Sequence, residues 1–400
     1  MLNTSVYREV KNWKKPLHVS KTALAKSYLN LLQNTKVIGI TGSVGKTLTQ
    51  NATAAVLSQK LKVAVGEENL DPTFRIPQTI LKTKPWDQVI ILEFGVEHPG
   101  EMSAYLKIAK PDIAVVTSVA PTHTKYFGSV HGVFDEKSKI VSALPKEGYA
   151  VLNVDDPQVA NMANLTRAKV FWYGQKAGNG VKVSHFKQDL NGSSFRLHYK
   201  GQRATVNWKI VGRHHLTSAY AAATVGLICG LTIKQIAKGL SQTKIPQHRL
   251  QVIPKNGITV IDDTYNSSPK AARRSLKTLV DLGKNRFKVA VLGEMKDLGT
   301  LSQKEHQALG EKIAKTRIHL LITLGPEAKL IATSAKKHGF KGQTYNASTT
   351  DRIIKYLKEI PAYKQLVLVK ASRHAHFERI VNGMLGKPTE IHCYHCGDLR

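Results

Sequence analysis

The stretch Lys36-Val-Ile-Gly-Ile-Thr-Gly-Ser-Val-Gly-Lys-Thr-Leu-Thr-Gln50 decides the fold of this chain. Val37, Ile38 and Ile40 predict a short buried strand, and the residues from Lys46 onward predict a helix. A turn with two glycines joins them. A strand, a glycine turn and a helix N-terminus together present backbone N–H groups to an anion. The stretch therefore predicts a site for the phosphates of a nucleotide.

The residues of the turn have separate predicted roles. The backbone around the phosphates would come from Thr41, Gly42, Ser43, Val44 and Gly45. Lys46 can reach the outer phosphates, and the Thr47 hydroxyl can take one position on Mg²⁺. A strict phosphate-loop pattern requires glycine where this chain has Ile40, so an ordinary βα turn containing a lysine is the alternative. The two glycines, the Lys-Thr pair and both flanking elements together favour the nucleotide site.

Length and composition indicate a globular protein of two or three domains. The 400 residues are 42% hydrophobic and 22% charged, which is ordinary for such proteins. Three cysteines do not make a disulfide scaffold, and no stretch approaches the ~20 apolar residues of a membrane span. We expect a cytoplasmic monomer without a transmembrane segment.

The net charge of +31 is unusual. Lysine and arginine are spread along the whole chain and are not gathered into one arm. This distribution favours attraction to anionic small molecules such as nucleotides, and we expect no specific nucleic-acid partner. Incidental binding to nucleic acid or to an anionic membrane surface stays open.

Apolar runs that alternate with helical stretches predict an α/β fold with two doubly wound domains. We expect a basic helical segment over 1–35, a phosphate-loop mononucleotide-binding central domain over 36–244, a smaller Rossmann-like C-terminal domain over 245–386 and a tail over 387–400. A solvated basic arm is the alternative for the first segment. Residues 168–210 interrupt the pattern and predict an antiparallel hairpin.

A carboxylate ends the predicted third strand. The apolar run 88–93 finishes at Glu93, and ligands of open α/β sheets gather at the C-terminal ends of the strands. Glu93 is therefore placed to hold the Mg²⁺ of a bound nucleotide. A helix cap or a solvated strand end is the alternative for an isolated glutamate, and the nearby phosphate loop favours the metal role.

Seven short stretches follow the motif order of one enzyme family. They are 41–47, 93–101, 117–128, 152–157, 261–269, 290–299 and 369–373. One of them, Glu93-Phe-Gly-Val-Glu-His-Pro-Gly-Glu101, fits the pattern E-x-G-x-x-H-P-G-E. Together the seven resemble the Mur ligase family, and within it the members that add D-alanyl-D-alanine.

The resemblance implies an ATP-dependent amide-bond ligase of peptidoglycan precursor synthesis. Its substrates would be ATP, a UDP-muramoyl-tripeptide and D-Ala-D-Ala. The γ-phosphate passes to a substrate carboxylate, an amine attacks the acyl phosphate, and the tetrahedral intermediate collapses to amide and phosphate. Such chemistry depends more on positioning and charge neutralisation than on an acid–base pair.

The resemblance also assigns roles in the central domain. Lys46 would stabilise the β- and γ-phosphates, Thr47 and Glu93 would hold one Mg²⁺, and His123 would help to hold a second. Lys137 aligns with the lysine that this family carbamoylates with CO₂, which turns a cation into a metal-organising carbamate. The alternative for Lys137 is a surface lysine, because its neighbours Glu136 and Lys139 are expected to be solvated.

Four residues of the second domain are assigned in the same way. Arg249 aligns with an arginine near the γ-phosphate, and Asp263 aligns with a nucleotide contact. Tyr265 and Asn266 belong to the same stretch and are expected to contribute to nucleotide binding.

The chain departs from the family pattern at several positions. Ser218 and Ser268 replace usual asparagines, Glu97 replaces the asparagine before His98, and Arg75 and Ala371 replace usual glycines. The 35 residues before the phosphate loop are too few for the domain with which relatives grip UDP. These departures do not change the predicted ATP site, but they leave the identity of the acceptor substrate undecided. A folate or polyamino-acid acceptor is the alternative. A non-catalytic nucleotide-binding protein attracted to polyanions is the alternative outside enzymes.

The tail carries a separate hypothesis. Cys393 and Cys396 form a C-x-x-C flanked by His392 and His395, which could hold zinc. A second ligand pair is missing, since Cys229 sits in an apolar helical stretch. A loose tail or a site shared between two copies is therefore the alternative.

Overall fold

The computed structural model describes residues 15–67, 71–361, 364–393 and 397–399, and these residues form two compact units. The first unit comprises residues up to 187 together with 194–209 and 215–244. The second comprises 188–193, 210–214 and the residues from 245 onward. Within the described residues, no helix is long and apolar enough to cross a bilayer.

A parallel six-stranded sheet forms the centre of the first unit. Its strand order is β2-β3-β1-β4-β5-β6. The strands are β1 (Lys36–Thr41), β2 (Val63–Val65), β3 (Val89–Glu93), β4 (Ile113–Val116), β5 (Tyr149–Asn153) and β6 (Lys169–Tyr173). Every residue of β3 and β4 is buried, as is typical of parallel strands in α/β proteins. A second sheet of three strands has the order β7 (Lys182–Asp189), β8 (Gly192–Tyr199) and β9 (Gln202–Trp208).

Nine described α-helices belong to the first unit. They are α1 (Lys15–Leu31), α2 (Lys46–Leu57), α3 (Pro72–Lys82), α4 (Glu101–Ile108), α5 (Thr124–Phe127), α6 (Val130–Ser142), α7 (Pro157–Asn161), α8 (Leu216–Ile228) and α9 (Ile233–Ser241). The helix that follows the phosphate turn, α2, packs against both α8 and α9. A Cβ on Gly239 of α9 would lie 2.5 Å from the Val56 Cα, so only glycine permits this close approach.

The second unit has its own six-stranded sheet, of order β10-β11-β15-β12-β13-β14. Only its edge strand β10 runs antiparallel to its neighbour. The strands are β10 (Gln251–Lys255), β11 (Ile258–Asp262), β12 (Phe287–Gly293), β13 (Leu320–Leu324), β14 (Gln343–Ala347) and β15 (Gln365–Lys370). The helices are α10 (Pro269–Leu282), α11 (Ser302–Ala314), α12 (Pro326–Lys337), α13 (Thr350–Glu359) and α14 (Glu378–Leu385). Near the chain end, β16 (Ile391–Cys393) pairs with β17 (Gly397–Leu399).

The structure confirms the predicted α/β class and extends the predicted element list. Strand β6 continues the parallel sheet, so the expectation that residue 168 begins a region of different character was wrong. Strands β10 and β14 and helix α14 were not predicted. The zinc hypothesis concerns Cys393 and Cys396, which lie outside the described side chains, and it stays a prediction.

Candidate active site

The phosphate loop lies at the C-terminal end of β1, which β3 and β4 flank. Gly42 has φ +141°, and a Cβ there would lie 2.0 Å from the Thr117 hydroxyl oxygen. Gly45 has φ +90° and immediately precedes α2. Both glycines are therefore required by the backbone, which explains their spacing in the sequence. The loop is also bonded to the segment that follows β4, because the Ser43 N–H donates to the Ser118 carbonyl at 2.8 Å.

Helix α2 begins directly after this turn and has no acidic residue in its first turn. Its N-terminal N–H groups and its dipole favour an anion. The Lys46 ammonium folds back over the loop and donates to the Gly42 carbonyl at 3.0 Å. This arrangement can hold a chain of phosphates in the way that the sequence predicts.

Thr47 and Glu93 meet at this edge of the sheet. The Thr47 hydroxyl donates to the Glu93 Oε2 at 2.9 Å, and both residues are buried. Their proximity follows from the strand register, which places Ile40 opposite Glu93. Hydroxyl and carboxylate oxygens are the ligands that Mg²⁺ prefers, so this pair fits the ion that the phosphate loop implies.

Arg75 is a buried member of the site that the sequence analysis did not assign. Its guanidinium contacts the Glu93 Oε2 at 3.3 Å, the Gln50 Oε1 at 2.9 Å and the Gly66 carbonyl at 3.2 Å. Arginine therefore stands beside the carboxylate that was expected to bind Mg²⁺. The available signal was the replacement of a usual family glycine by an arginine, and sequence reasoning did not interpret it.

A second group of polar residues includes His123 and His98. The His123 Nε2 lies 3.9 Å from the Glu97 Oε1, and the His123 backbone is left-handed with φ 54°. His98 Nδ1 lies 3.2 Å from the Glu101 Oε1, and the His98 ring packs against Tyr126 with centroids 4.2 Å apart. The structure thus places the residue that replaces the usual asparagine, Glu97, beside the predicted metal ligand His123.

Lys137 is buried in α6, so the surface alternative is wrong. Burial and, to a smaller extent, the positive charge of Lys46 lower the pKa of Lys137 from 10.5 to about 7, against the opposing effect of Glu136, Glu101 and Glu97. Within the part of the chain that the structure describes, the Lys137 ammonium forms no hydrogen bond or ion pair. Lys46, Lys137 and Glu97 therefore belong to one electrostatic cluster.

The neighbour Glu136 is also buried, contrary to the expectation that it is solvated. Its carboxylate accepts hydrogen bonds from the N–H groups of Gly100 at 3.1 Å and Met102 at 2.8 Å, at the N-terminus of α4. It also pairs with the Lys139 ammonium at 2.7 Å. The Glu136 carboxylate thus interacts with the N-terminus of α4 and with Lys139. It does not form an ion pair with Lys137, its neighbour in α6.

The predicted residues of the second unit form a separate group. The Arg249 guanidinium stacks on the Tyr265 ring at 3.9 Å from the centroid, and the backbone is left-handed at His248 and Leu250 on either side of it. A hydrogen bond to Asp262 raises the pKa of His248 above its usual value.

Asp263 is buried and already has several partners within its unit. It lies 2.7 Å from the Lys370 ammonium and accepts a hydrogen bond from the Ser275 hydroxyl. Lys370 also donates to the Asn266 carbonyl at 2.8 Å, and the Asn266 side chain is exposed. The structure thus brings Asp263, Tyr265 and Asn266 together, with Asp263 as an internal anchor of the group.

Comparison with known proteins identifies the family. The model of the Mur ligase middle domain matches residues 40–226, and that of the Mur ligase, glutamate ligase domain matches 248–373. The chain is 32% identical over 366 residues to the UDP-N-acetylmuramoyl-tripeptide–D-alanyl-D-alanine ligase of Bacillus subtilis, covering 91% of this chain and 79% of the relative. The Escherichia coli enzyme of that name is 28% identical, over 87% of this chain and 76% of its own length.

Solved structures agree with the sequence relatives. MurF from Acinetobacter baumannii superposes with a TM-score of 0.84 at 26% identity, covering 92% of this chain and 81% of that structure. MurF from Thermotoga maritima, solved in complex with ADP, gives a TM-score of 0.82 at 25% identity, covering 92% of this chain and 84% of that structure. With its phosphate loop, buried carboxylate and matched domains, the chain belongs to the Mur ligase family and is an ATP-dependent ligase.

Proposed function

We propose that the chain joins D-alanyl-D-alanine to a UDP-N-acetylmuramoyl-tripeptide and converts ATP to ADP and phosphate. The observation that carries the proposal is the convergence of the phosphate loop, the Thr47–Glu93 pair and buried Lys137 in a chain whose relatives bear this activity in their names. A carboxylate oxygen of the tripeptide attacks the γ-phosphorus, and the bond to ADP breaks. The D-Ala-D-Ala amine then attacks the acyl carbon, loses a proton, and phosphate leaves.

The phosphate loop supplies the positioning for the first step. The α2 N-terminus and the Lys46 ammonium balance the charge on the β- and γ-phosphates. Lys46 already lies over the loop through its bond to the Gly42 carbonyl, so a short movement of a flexible side chain brings it to the phosphates. The loop backbone from Thr41 to Thr47 accounts for the rest of the phosphate contacts.

Two Mg²⁺ ions belong to the proposal. Thr47 and Glu93 would hold the first, and His123 with a modified Lys137 would hold the second. Bound there, the ions would supply neutralisation of the phosphate charge. Arg75 fixes the Glu93 carboxylate against Gln50 and the Gly66 carbonyl, so the carboxylate is held in place before any nucleotide arrives.

We also propose that Lys137 carries a carbamate. Its neutral amine adds to CO₂ to give an N-carboxylate and release one proton. A buried lysine with no ion pair to its own helix is a poor site for a positive charge, whereas a carboxylate near Lys46 has an opposite charge beside it. After growth and assay with ¹³C-bicarbonate, we expect a carbamate resonance that the Lys137→Met variant lacks. Its absence from the parent protein contradicts the proposal.

In the second unit, Arg249, Asp263, Tyr265 and Asn266 are proposed to contact the nucleotide or its γ-phosphate. The stacked Arg249–Tyr265 pair combines a fixed positive charge with an aromatic face. Phosphate and a nucleobase are groups that such a pair can bind. We further propose that the enzyme acts as a monomer in the cytoplasm, on small-molecule substrates.

The test measures phosphate release from ATP and Mg²⁺, with UDP-N-acetylmuramoyl-tripeptide and D-Ala-D-Ala added singly and together. We expect release only with both, and loss by at least a hundredfold in Lys46→Ala. Lys336→Ala, at an exposed lysine of the second unit, serves as the matched control and should leave the rate unchanged. Binding of ATP without stimulation by the pair contradicts the proposed acceptor and leaves the ligase family intact.

A further inference from the structure

Three leucines of α1 form an exposed row. Leu17, Leu24 and Leu31 are 68%, 60% and 77% exposed, and they follow each other at intervals of seven residues. Residues seven apart lie on nearly the same face of a helix. We refer to these three residues as the leucine row.

A different side of α1 packs on the rest of the first unit. Thr22 and Ala25 are buried, and His18 packs against Phe74 of α3 with ring centroids 4.7 Å apart. Tyr28, which neighbours Leu24 and Leu31 at helical spacing, borders the leucine row, and its hydroxyl donates to the Thr83 carbonyl at 2.8 Å. These contacts hold the helix in place, and in the part of the chain that the structure describes the three leucines stay exposed.

The surroundings of the leucine row are basic and aromatic. Helix α1 contains Lys15, Lys21 and Lys26 and no acidic residue. Lys21 neighbours both Leu17 and Leu24 at helical spacing. The loop after α3, which the Tyr28 hydrogen bond joins to α1, carries Trp86 at 58% exposure with the Lys84 ammonium 5.4 Å from its ring.

A second copy of the chain is a poor occupant of this surface. Two leucine rows facing each other would bring Lys21 of both helices together, and α1 has no acidic residue to pair with them. Three leucines and one tryptophan are also far fewer than the roughly 20 residues per partner of a stable protein interface.

We propose that the leucine row docks on an anionic phospholipid membrane surface. Leucine and tryptophan enter the boundary between headgroups and acyl chains, and lysines beside them remain with the anionic headgroups. The net charge of +31 acts in the same direction, because it draws the whole molecule to a negative surface. The proposal does not depend on the identity of the acceptor, and it makes the protein a peripheral ligase of the membrane surface.

The experiment is sedimentation of the full chain with vesicles of phosphatidylcholine alone or with 30% phosphatidylglycerol, at several salt concentrations. We expect binding to the anionic vesicles only. L17Q/L24Q/L31Q should weaken it more than about tenfold, and K21Q/K84Q should weaken it about 25-fold, which is about fivefold for each lysine near the surface. Thermal melting and ADP binding of each variant show that the fold is retained.

Two control variants test whether vesicle binding depends on the leucine row and its neighbours, and not on positive charge or exposed apolar side chains in general. K336Q/K337Q removes the same charge from exposed lysines of the second unit, and L165Q/W172Q removes exposed apolar side chains elsewhere in the first unit. Both should bind like the parent. Three outcomes would each overturn the proposal. The lysine control could lose as much binding as the lysine variant, or L17Q/L24Q/L31Q could bind vesicles like the parent. The third is a dimer of the parent that only the leucine variant abolishes.

Discussion

Lys137 is the residue whose environment departs furthest from its ordinary chemistry. It is buried, and the carbamate that we propose for it requires the amine to lose its proton. A lysine whose pKa falls to about 7 is half neutral near physiological pH, whereas an exposed lysine is almost wholly charged. Burial thus prepares the amine for reaction at a cost in stability when it is charged.

This cost gives a pH-dependent prediction. Between pH 7 and the unfolded pKa of 10.5, the unfolded chain binds a proton at Lys137 that the folded chain does not, so stability rises with pH across this window. In bicarbonate-free buffer, the parent should gain about 2 kcal/mol of unfolding free energy relative to Lys137→Met between pH 7 and pH 9. Urea unfolding at both pH values measures the difference. A difference that does not change with pH excludes a lowered pKa.

The Lys137→Met variant should also separate stability from catalysis. Methionine has a similar length and carries no charge, so at pH 7 the variant should be at least as stable as the parent. Ligation should fall by more than about a thousandfold, because the proposed metal-organising group is gone. Retained activity would show that Lys137 has only a packing role.

Arg75 gives a second prediction at the scale of single residues. Its guanidinium is a buried counter-charge for Glu93, so Arg75→Met should lower the unfolding free energy in metal-free buffer by about 3 kcal/mol. A divalent cation can replace the missing positive charge. We therefore expect Mg²⁺ to stabilise the variant more than it stabilises the parent, as measured by urea unfolding with and without Mg²⁺.

Arg75→Lys is the control for this experiment. Lysine keeps the charge but cannot bridge three acceptors at once, so its Mg²⁺ response should resemble that of the parent. If Arg75→Met has the same unfolding free energy as the parent in both buffers, the contact between Arg75 and Glu93 does not contribute to stability.

At the scale of elements, α9 packs closely on α2, the helix that begins at the phosphate loop. Gly239→Ala would force a Cβ to within 2.5 Å of the Val56 Cα and 2.6 Å of the Ala55 carbonyl. Neither backbone atom can rotate away, so we expect a loss of about 2 kcal/mol in unfolding free energy. Because α2 also carries Lys46 and Thr47, ADP affinity should fall as well. Calorimetric titration measures it.

The matched control is Gly178→Ala, where a Cβ meets no atom within 4 Å. This variant should keep both the stability and the ADP affinity of the parent. Unchanged ADP affinity in Gly239→Ala would show that α2 absorbs the strain without moving the phosphate loop.

For the whole molecule, the charge of +31 predicts fast, salt-sensitive capture of nucleotide. A strongly positive surface raises the concentration of an anion near it, and added salt screens this attraction. We expect the association rate of a fluorescent ATP analogue to fall about tenfold between 50 and 500 mM salt, with little change in the dissociation rate. Stopped-flow fluorescence measures both. An association rate that is constant with salt contradicts steering.

The sequence by itself determined the fold class and the chemistry of the phosphate loop. Glycines at fixed spacing, a Lys-Thr pair and apolar runs are local patterns, because backbone conformation and strand burial act over a few residues. Glu93 was predictable for the same reason: it ends a buried strand, and parallel strands end at one edge. Short edge strands such as β10 and β14 escaped prediction because they carry weaker apolar patterns.

Only the tertiary structure decided the burial of Lys137 and Glu136 and the pairing of Arg75 with Glu93. Burial of a charged helix residue depends on which distant elements cover it, and Glu136 is covered by the N-terminus of α4, which lies 34 to 36 residues earlier in the chain. The partners of Arg75 come from three different segments. Local periodicity contains no information about such contacts, because they form only when the sheet brings remote segments to one edge.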